Sequence, residues 1–222
     1  MSNSFTEENY LKIIYHLSAE IDGAEVSTNA VAEMANTKAA SVSDMLKKLA
    51  DKKLVNYQKY QGVTLTKLGK SIALKVIRRH RLWEVFLLEK LNFTWDEVHL
   101  IAEELEHINS DKLVEKLDEY LGFPKFDPHG DPIPDETGKL PTTLYQNLGA
   151  QNIGEKGILM GVSEHNPAFL KHLAKIGLNL GCHLAIIDKN EFDHSVLIKI
   201  NDEIEHFLSF EVSKHLLIKV EK

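Results

Sequence analysis

The sequence predicts an α+β protein with an N-terminal winged helix-turn-helix, an α-helical middle domain and a small C-terminal SH3-like β-barrel. Three observations support this fold class. Three short helical stretches and then two strand-like stretches fill residues 6–66. A long helical pattern follows, and two shorter helical patterns after it reach Gly122. From residue 147 onward the chain is dominated by short β-branched and aliphatic runs, which are typical of a small barrel.

The first three helices are indicated by caps and by apolar residues at helical spacing. Thr6 begins the first helix, because acids follow it in the first turn, where they favour the helix dipole. Ser27 caps a second, short helix. The third has apolar residues at i, i+3, i+4 and i+7, namely Val42, Met45, Leu46 and Leu49. Gln61-Gly62 then joins two strand-like runs into a hairpin, which completes a winged helix-turn-helix.

The later elements follow from the same signals. One helix is predicted from about residue 67 to 91, Thr94 and Glu97 fit a capping box for the next, and a third lies between Asn109 and Gly122. Five of the six prolines fall within 123–146, which predicts an irregular linker. Strands are predicted at 157–162, 183–187, 196–200 and 216–220, with a short helix near 167–176. The predicted domains are 1–72 (winged helix), 73–122 (helical), 123–146 (linker) and 147–222 (SH3-like, similar to FeoA domains).

Composition indicates a cytoplasmic globular protein. Hydrophobic residues make up 43% and charged residues 27% of the 222 residues, and no apolar run reaches the ~18–20 residues of a membrane span. The N-terminus is polar and has no signal-peptide core. The single cysteine, Cys182, excludes a disulfide within the chain and a zinc site made of thiolates alone. We therefore expect a cytoplasmic location and no membrane partner.

Charge is divided unevenly along the chain. The net charge is −7, but residues 1–81 carry 13 Lys and Arg against 8 Asp and Glu, whereas residues 82–222 carry 13 against 25. The first part therefore has a net charge of +5, which suits contact with phosphates. The remainder has a net charge of −12, which suits divalent cations. Chance asymmetry is the alternative explanation.

The third helix is the candidate DNA-reading element. In winged helix-turn-helix proteins this helix enters the major groove, and here its first turn contains the small residues Ala39 and Ala40. Polar and basic side chains nearby can bond to base edges or phosphates. The candidate DNA-binding residues are Lys38, Ser41, Ser43, Lys47 and Lys48 on this helix and Lys59 on the hairpin. The alternative is a winged helix that contacts another protein, with its lysines in solvent.

A second group of residues is typical of metal ligands. At 100° per residue, four side chains share one helical face about 100° wide. They are His99, Glu103, Glu106 and His107. On the preceding helix, His80 and Glu84 also share a face, at a spacing of four. Imidazoles and carboxylates on one face suit a divalent metal, and the alternative is an ordinary acidic surface.

The motifs argue against an enzyme. The H-E-x-x-H zinc-protease pattern and its inverse are absent, as are a nucleophile elbow, a P-loop and a dinucleotide fingerprint. E-x-x-H occurs at 104–107, 191–194 and 203–206, but the last two fall in strand-rich sequence and cannot face a four-helix core. The alternatives left open are a winged-helix regulator that senses an organic ligand and a di-iron or hydrolytic metalloenzyme.

Several segments occur in an order that points to one family. They are ENYLKIIY at 8–15, VSDMLKKL at 42–49, RHRLWEVFL at 79–87, DEVH at 96–99, EELEH at 103–107, FPK at 123–125 and PHGDPIP at 128–134. Through them the chain resembles, over essentially its whole length, the diphtheria toxin repressor family of metal-dependent regulators. It is most similar to the manganese-responsive branch that carries a C-terminal SH3-like domain.

The resemblance implies a homodimer, formed through the helices after the winged helix, that binds operator DNA when loaded with metal and represses metal-uptake genes. It also implies two groups of metal ligands. The first group is Asn9, Glu103, Glu106 and His107. The second is His80, Glu84, His129, Asp127 and Glu164, and His99 matches a further ligand position. A metal that joins helix 1 to the first group would set the spacing of the two DNA-reading helices.

Two residues depart from the family pattern. Asn9 stands where relatives have Asp or Met, so its amide oxygen brings no charge to the first group. Lys12 stands where short manganese regulators have a ligand Glu, which argues against their paired-metal site. Because the ligand atoms are oxygen and imidazole nitrogen, Mn(II) is the expected metal and Fe(II) the alternative, while Zn(II) and Co(II) also fit. No small organic substrate is expected.

Overall fold

The computed structural model describes residues 3–21, 24–58, 61–142 and 145–221, and it divides the chain into two compact units. The N-terminal unit comprises Met1–His80, Leu105–Asn109 and Pro134–Lys139. The C-terminal unit comprises Arg81–Glu104, Ser110–Ile133 and Leu140–Lys222. Over the described ranges, no helix is both long enough and apolar enough to cross a membrane.

The N-terminal unit is built on the predicted winged helix-turn-helix. Its elements are α1 (Phe5–Glu20), α2 (Thr28–Met34), α3 (Ala39–Asp51), β1 (Val55–Gln58), β2 (Gly62–Leu65) and the first part of α4 (Lys67–Leu91). β1 and β2 form an antiparallel hairpin, and Val26 adds a bridge to Val63. The apolar face of α3 is buried at Val42, Leu46 and Leu49, as its spacing predicts.

The start of α1 differs from the prediction. Ser4, and not Thr6, is the cap: its Oγ accepts the Glu7 amide at 3.3 Å, and the Glu7 carboxylate accepts the Ser4 amide at 2.9 Å. This reciprocal pair is a capping box, which needs Ser and Glu three residues apart. Glu7 and Glu8 are both buried in the first turn of the helix.

The helix after α4 is shorter than predicted. The Glu97 carboxylate accepts the Thr94 amide at 2.9 Å, but this contact closes a turn, and α5 (Val98–Leu105) begins only after it. Because α5 ends at Leu105, Glu106 and His107 leave the helix instead of continuing its face. The prediction of one helical face from His99 to His107 is therefore wrong beyond Leu105.

The C-terminal unit contains the end of α4, most of α5 and an antiparallel sheet. Its further elements are α6 (Asp111–Tyr120), β3 (Gln146–Asn147), a 3-10 turn (Leu148–Ala150), β4 (Lys156–Val162), α7 (Pro167–Lys175), β5 (His183–Lys189), β6 (Val196–Ile200), β7 (Ile204–Leu208), α8 (Phe210–Ser213) and β8 (Leu216–Val220). The strand order is β3-β8-β4-β5-β6-β7. All four predicted strands are present, and the sheet confirms the SH3-like, α+β class. The sequence did not predict β7, because this strand lies at the sheet edge and most of its residues are polar or exposed.

The predicted linker contains an ordered loop. The Ile133 amide donates to the Lys125 carbonyl at 2.8 Å, and Phe126 bridges to Pro132. We call residues 126–132 the 126–132 loop. The Val162 amide at the end of β4 donates to the His129 carbonyl at 2.9 Å, so this loop is held against the sheet. The loop therefore presents its side chains from a defined position.

Candidate functional site

Four side chains of the C-terminal unit converge around Glu84, and we call them the Glu84 centre: Glu84 on α4, His99 on α5, and Asp127 and His129 on the 126–132 loop. His99 Nδ1 lies 3.2 Å from Glu84 Oε1, and His129 Nδ1 lies 3.6 Å from Glu84 Oε2. Ligand atoms of Glu84, Asp127 and His129 all lie within 4.8 Å of one another. These three residues are buried, whereas His99 is partly exposed.

The backbone of the 126–132 loop fixes Asp127. Its Oδ1 accepts the amides of His129 at 2.8 Å and Asp131 at 2.9 Å, and its Oδ2 lies 3.5 Å from Arg81 Nε. Gly130 has φ +86°, and a Cβ there would lie 2.1 Å from the Met160 carbonyl oxygen of β4. The glycine of the P-H-G motif is therefore required both by its backbone angle and by its close approach to the sheet.

His129 is oriented as a metal-binding histidine. Its Nε2 donates to the Trp95 carbonyl at 3.1 Å, which leaves the Nδ1 lone pair facing Glu84. A hydrogen bond from one ring nitrogen commonly sets the tautomer and orientation of a histidine whose other nitrogen binds metal. The 126–132 loop and Trp95 thus prepare the nitrogen that faces the centre.

The electrostatics of the Glu84 centre favour an added positive charge. Burial raises the pKa of Asp127 well above 3.8, and the nearby carboxylates of Glu84 and Asp131 raise it further. Burial lowers the pKa of His129, but hydrogen bonding to Glu84 and the charges of Glu84 and Asp127 outweigh this and raise it above 6.5. Burial and repulsion from neighbouring carboxylates thus raise the pKa of Asp127, whereas attraction to the carboxylates raises that of His129.

His165, which sequence reasoning missed, lies beside this centre. Its ring centroid is 4.9 Å from that of His129 and 6.4 Å from that of His99. Its Nε2 is buried, has no hydrogen-bond partner among the described residues and lies 3.6 Å from Asp131 Oδ2. Glu164, which the resemblance implied as a ligand, instead accepts the Asn166 amide at 2.8 Å. Buried carboxylates, oriented imidazoles and an unpaired ring nitrogen together fit a divalent cation.

The N-terminal unit holds a second group, which we call the Glu106 cluster: Glu8, Lys12, Arg79, His80, Glu106 and His107. Lys12 Nζ lies 2.6 and 2.8 Å from the two carboxylate oxygens of Glu106. His80 Nδ1 lies 2.7 Å from Glu106 Oε2. Burial raises the pKa of Glu106, but its hydrogen bond with His80 and the charge of Lys12 outweigh burial, so the pKa lies below 4.5.

Glu8 is the other carboxylate of the Glu106 cluster. Its Oε2 lies 2.8 Å from His107 Nδ1 and 3.1 Å from Arg79 Nη2. Arg79 Nε also donates to the carbonyl of Glu106. Both carboxylates of the cluster are therefore paired with a cationic side chain.

Within the N-terminal unit, Asn9 does not join Glu106 and His107, the residues with which the resemblance grouped it. Asn9 is exposed, and its neighbour Glu8 takes the position beside His107. Glu103 lies in the C-terminal unit, 49% exposed, with its Oε1 3.7 Å from His99 Nε2. Within the N-terminal unit, His80 Nδ1 lies 2.7 Å from Glu106 Oε2. The reason is local, because α5 ends at Leu105 and Asn9 points away from the packed side of α1.

The predicted DNA-reading helix is α3, and its candidate contact residues differ in exposure and partners. Lys38 precedes the first turn of α3, and both it and Ser41 are exposed. Ser43 donates to the Ala39 carbonyl at 3.0 Å, Lys47 pairs with Asp44 at 3.0 Å, and Lys48 pairs with Glu7 at 3.1 Å. Lys59 lies outside the described residues. Lys38 and Ser41 therefore remain the clearest candidates for contacts with DNA.

The fold and the buried donor groups define a class of protein, a winged-helix protein with a candidate metal centre. Three protein-family models match successive parts of the chain. The iron dependent repressor N-terminal DNA binding domain matches residues 4–63, the iron dependent repressor metal binding and dimerisation domain matches 66–135, and the FeoA domain matches 147–220.

The individual proteins that the chain resembles include transcriptional regulators and repressors. A manganese-dependent transcriptional repressor in complex with manganese shares 36% identity over 96% of this chain and 98% of its own, with a TM-score of 0.83. An uncharacterized HTH-type transcriptional regulator of Methanocaldococcus jannaschii is 36% identical over 50% of this chain and 87% of its own. The iron-dependent repressor IdeR of Mycobacterium bovis is 32% identical over 58% of this chain and 55% of its own.

The chain belongs to the diphtheria toxin repressor family, whose members are DNA-binding transcriptional repressors and not enzymes. It spans about half the length of the curated iron-dependent repressors it matches, and a fifth of the length of a probable metal transport system membrane protein of Chlamydia trachomatis. The similar proteins include both iron-dependent and manganese-dependent repressors.

Proposed function

We propose that this chain is a metal-dependent transcriptional repressor in which a divalent cation at the Glu84 centre controls binding to operator DNA. One observation carries the proposal: Glu84 and Asp127 are buried beside His129, with ligand atoms within 4.8 Å of one another. Two buried carboxylates this close are unfavourable without a nearby positive charge. Arg81 contacts Asp127 at 3.5 Å, but it is shared with Asp131, which it contacts at 3.4 Å.

The residues of the centre would hold the cation from three sides. Glu84 comes from α4, His99 from α5, and Asp127 and His129 from the 126–132 loop, and the ring of His165, after β4, lies beside that of His129. When bound, the cation supplies two positive charges and joins these segments. Trp95 orients His129, and Arg81 holds Asp127 and donates to the Pro132 carbonyl, so the donor atoms are positioned before metal arrives.

Mn(II) is the metal we propose, with Fe(II) as the second candidate. The donors are carboxylate oxygens and imidazole nitrogens, and no thiolate belongs to the centre; this donor set suits Mn(II) better than softer metals. The same set also accepts Zn(II) and Co(II), because selectivity among divalent metals depends on geometry and availability more than on affinity.

DNA and a second copy of the chain are the proposed partners. α3 would enter the major groove, with Lys38 and Ser41 contacting the duplex. Leu100 on α5 and Tyr120 at the end of α6 are 61% and 66% exposed, and exposed apolar side chains on neighbouring helices suit a dimer interface. A two-fold dimer would bind a pseudo-palindromic operator, because its two reading helices are related by the same symmetry.

Selection from random duplexes tests this function. Double-stranded oligonucleotides with a random core are selected on the full chain with Mn(II), and the affinity of the selected duplex is then measured with Mn(II) and after chelation. We expect a pseudo-palindromic motif whose affinity falls roughly 5–150-fold on chelation, which corresponds to a coupling of about 1–3 kcal/mol. His129→Ala removes the response to metal, whereas Lys38→Ala weakens binding with and without metal.

Asn9→Ala is the matched control for this experiment, because Asn9 is exposed and lies outside the Glu84 centre. We expect the Asn9→Ala variant to retain the response of DNA affinity to metal. Equal affinity with and without Mn(II) would overturn the metal-dependent part of the proposal. Failure to select any duplex, or an affinity that does not fall with salt, would overturn the DNA-binding part.

A further inference from the structure

We propose that the ammonium group of Lys12 takes the place of a metal ion in the Glu106 cluster, so that this cluster is a metal-free set of ion pairs and the Glu84 centre alone binds metal. The resemblance to the family implies a metal at Glu106 and His107. The residues that this chain places around them do not fit one.

The first argument is the position of Lys12. Its Nζ lies 2.6 and 2.8 Å from the two oxygens of Glu106, which is the contact a cation bound to both oxygens would make. Lys12 follows Glu8 by one turn of α1, so both side chains project from the same side of the helix. The side chain of Lys12 is 13% exposed and that of Glu106 is 1% exposed, so water screens this pair poorly.

The second argument is charge. The carboxylates of Glu8 and Glu106 are matched by the ammonium of Lys12 and the guanidinium of Arg79, so these four side chains are neutral as a set. A divalent cation would add two positive charges to a buried site that has no negative charge left to offset them. At the Glu84 centre, by contrast, the ligand atoms of two buried carboxylates, Glu84 and Asp127, lie within 4.8 Å of each other and of His129.

The third argument is that the ligand atoms are already engaged. His80 Nδ1 is bonded to Glu106, and His107 Nδ1 is bonded to Glu8. A metal bound to Glu106 would have to displace both His80 and Lys12 from its carboxylate oxygens. By contrast, His165 Nε2 beside the Glu84 centre has no hydrogen-bond partner among the described residues.

The consequence concerns regulation and rests on the proposed function. Glu8 and Lys12 connect α1 to Glu106 and His107 across sequence separations of 94 and 99 residues, and they do so without metal. This connection within the N-terminal unit is therefore permanent. The metal signal enters through the Glu84 centre and not through helix 1.

Counting bound metal tests the inference. Mn(II) binding to the full chain is measured by isothermal titration calorimetry, with free Mn(II) followed by electron paramagnetic resonance. We expect Glu84→Gln either to lose a bound Mn(II) or to bind Mn(II) at least tenfold more weakly. Glu106→Gln should leave both the number of bound Mn(II) ions and their affinity unchanged. Loss of a bound Mn(II) in the Glu106→Gln variant would overturn the inference.

Lys12→Glu provides the converse test. It replaces the ammonium by a third carboxylate, so we expect it to gain one Mn(II) per chain and to regain, on addition of Mn(II), the thermal stability it has lost. Lys52→Glu is the matched control, because Lys52 Nζ makes a similar contact with buried Glu7 at 2.7 and 2.8 Å. A folded Lys12→Glu chain that gains no more Mn(II) than Lys52→Glu would overturn the inference.

A second measurement needs no variant. In crystals of the full chain grown with Mn(II), anomalous scattering at the manganese edge is expected at the Glu84 centre and not at Glu106; a peak at Glu106 would overturn the inference. If the proposed function fails because the natural chain binds no metal, the natural chain will bind no Mn(II). The number of Mn(II) ions gained by Lys12→Glu is measured independently of that result.

Discussion

Neighbouring residues on a helix point in directions about 100° apart, and this decides which side chain of α1 enters the Glu106 cluster. Glu8 is buried and contacts His107, whereas Asn9 is exposed. A similar choice between neighbours occurs after β4, where His165 approaches His129 and Glu164 turns back to the Asn166 amide. In both cases a shift of one residue changes the chemistry of the site.

Replacement of His165 by alanine tests its role in the Glu84 centre. We expect the affinity for Mn(II) to fall about 10-fold, the lower end of what loss of a residue supporting a metal site costs. Isothermal titration calorimetry measures the affinity. Glu164→Ala is the control and should stay within about twofold of the natural chain; a larger loss in Glu164→Ala than in His165→Ala would reverse the assignment.

Glu7 predicts how the stability of the N-terminal unit depends on pH. Burial raises its pKa, but hydrogen bonds from Lys52, the Ser4 amide and Lys48 outweigh this and lower the pKa from 4.5 to about 2. A lowered folded-state pKa means that Glu7 stabilises the fold above pH 4.5, and that this contribution disappears as the pH falls from 4.5 to about 2.

Glu7→Gln should therefore lower the free energy of unfolding by about 1–3 kcal/mol at pH 7. The difference from the natural chain should shrink below pH 4.5 and be nearly gone at about pH 2. Urea unfolding at several pH values measures this. Glu119→Gln is the control: Lys116 lowers the pKa of Glu119 too, but solvent screens this exposed pair, so its pH-dependent difference should be much smaller. A pH-independent loss in Glu7→Gln would contradict the assignment.

Among the elements, the β1–β2 hairpin approaches α4 closely because residue 69 is a glycine and has no side chain. A Cβ at Gly69 would lie 1.9 Å from the Leu54 carbonyl oxygen, just before β1. The Thr66 hydroxyl also donates to this carbonyl at 3.1 Å and accepts the Gly69 amide at 3.1 Å. The first turn of α4 and the start of the hairpin therefore share one hydrogen-bond network.

Gly69→Ala tests this close approach. Alanine normally stabilises a helix by about 1 kcal/mol relative to glycine, but here we expect a loss of roughly 2–4 kcal/mol, because the backbone must move to admit the methyl group. Thermal or urea unfolding measures the change. Ser71→Ala, on the exposed side of the same helix, should have little effect. Stabilisation by Gly69→Ala would show that the wing and α4 do not approach this closely.

At the scale of the whole molecule, charge explains why stability should respond to metal. Burial and the carboxylates of Glu84 and Asp131 raise the pKa of Asp127 well above 3.8, so a cation bound beside the ionised carboxylate would stabilise the folded state. A ligand that binds only the folded state adds about 2.7 kcal/mol at a concentration 100 times its Kd. Mn(II) should therefore raise the melting temperature, and chelation should reverse the rise.

Asp127→Asn should remove this response. The asparagine Oδ1 can still accept the amides of His129 and Asp131, so the 126–132 loop keeps its shape while the centre loses a charge. Without metal we expect the variant to be at least as stable as the natural chain, because repulsion with Glu84 is gone. Differential scanning fluorimetry with and without Mn(II) measures both effects; an undiminished rise in Asp127→Asn would exclude Asp127 as a ligand.

Local sequence was sufficient for most elements of the fold. α2, α3, α4 and the hairpin follow from apolar spacing, caps and the Gln61-Gly62 turn, because these signals act between residues close in the chain. The errors also have local causes. Thr6 and Ser4 are both good caps, and only the partner Glu7 selects Ser4. The end of α5 has no strong stop signal, so its helical pattern was extended to His107.

Local sequence patterns were enough to identify a winged helix and a set of carboxylates and imidazoles that suit a divalent metal. Which of these side chains meet depends on how distant segments of the chain pack. Glu8 with His107, Lys12 with Glu106, and Glu84 with His129 are each brought together from distant segments. Spacing along the chain specifies which residues share one face of a helix. Contacts between segments depend on packing, and a shift of one residue along a helix, or a helix that ends early, changes which side chains meet.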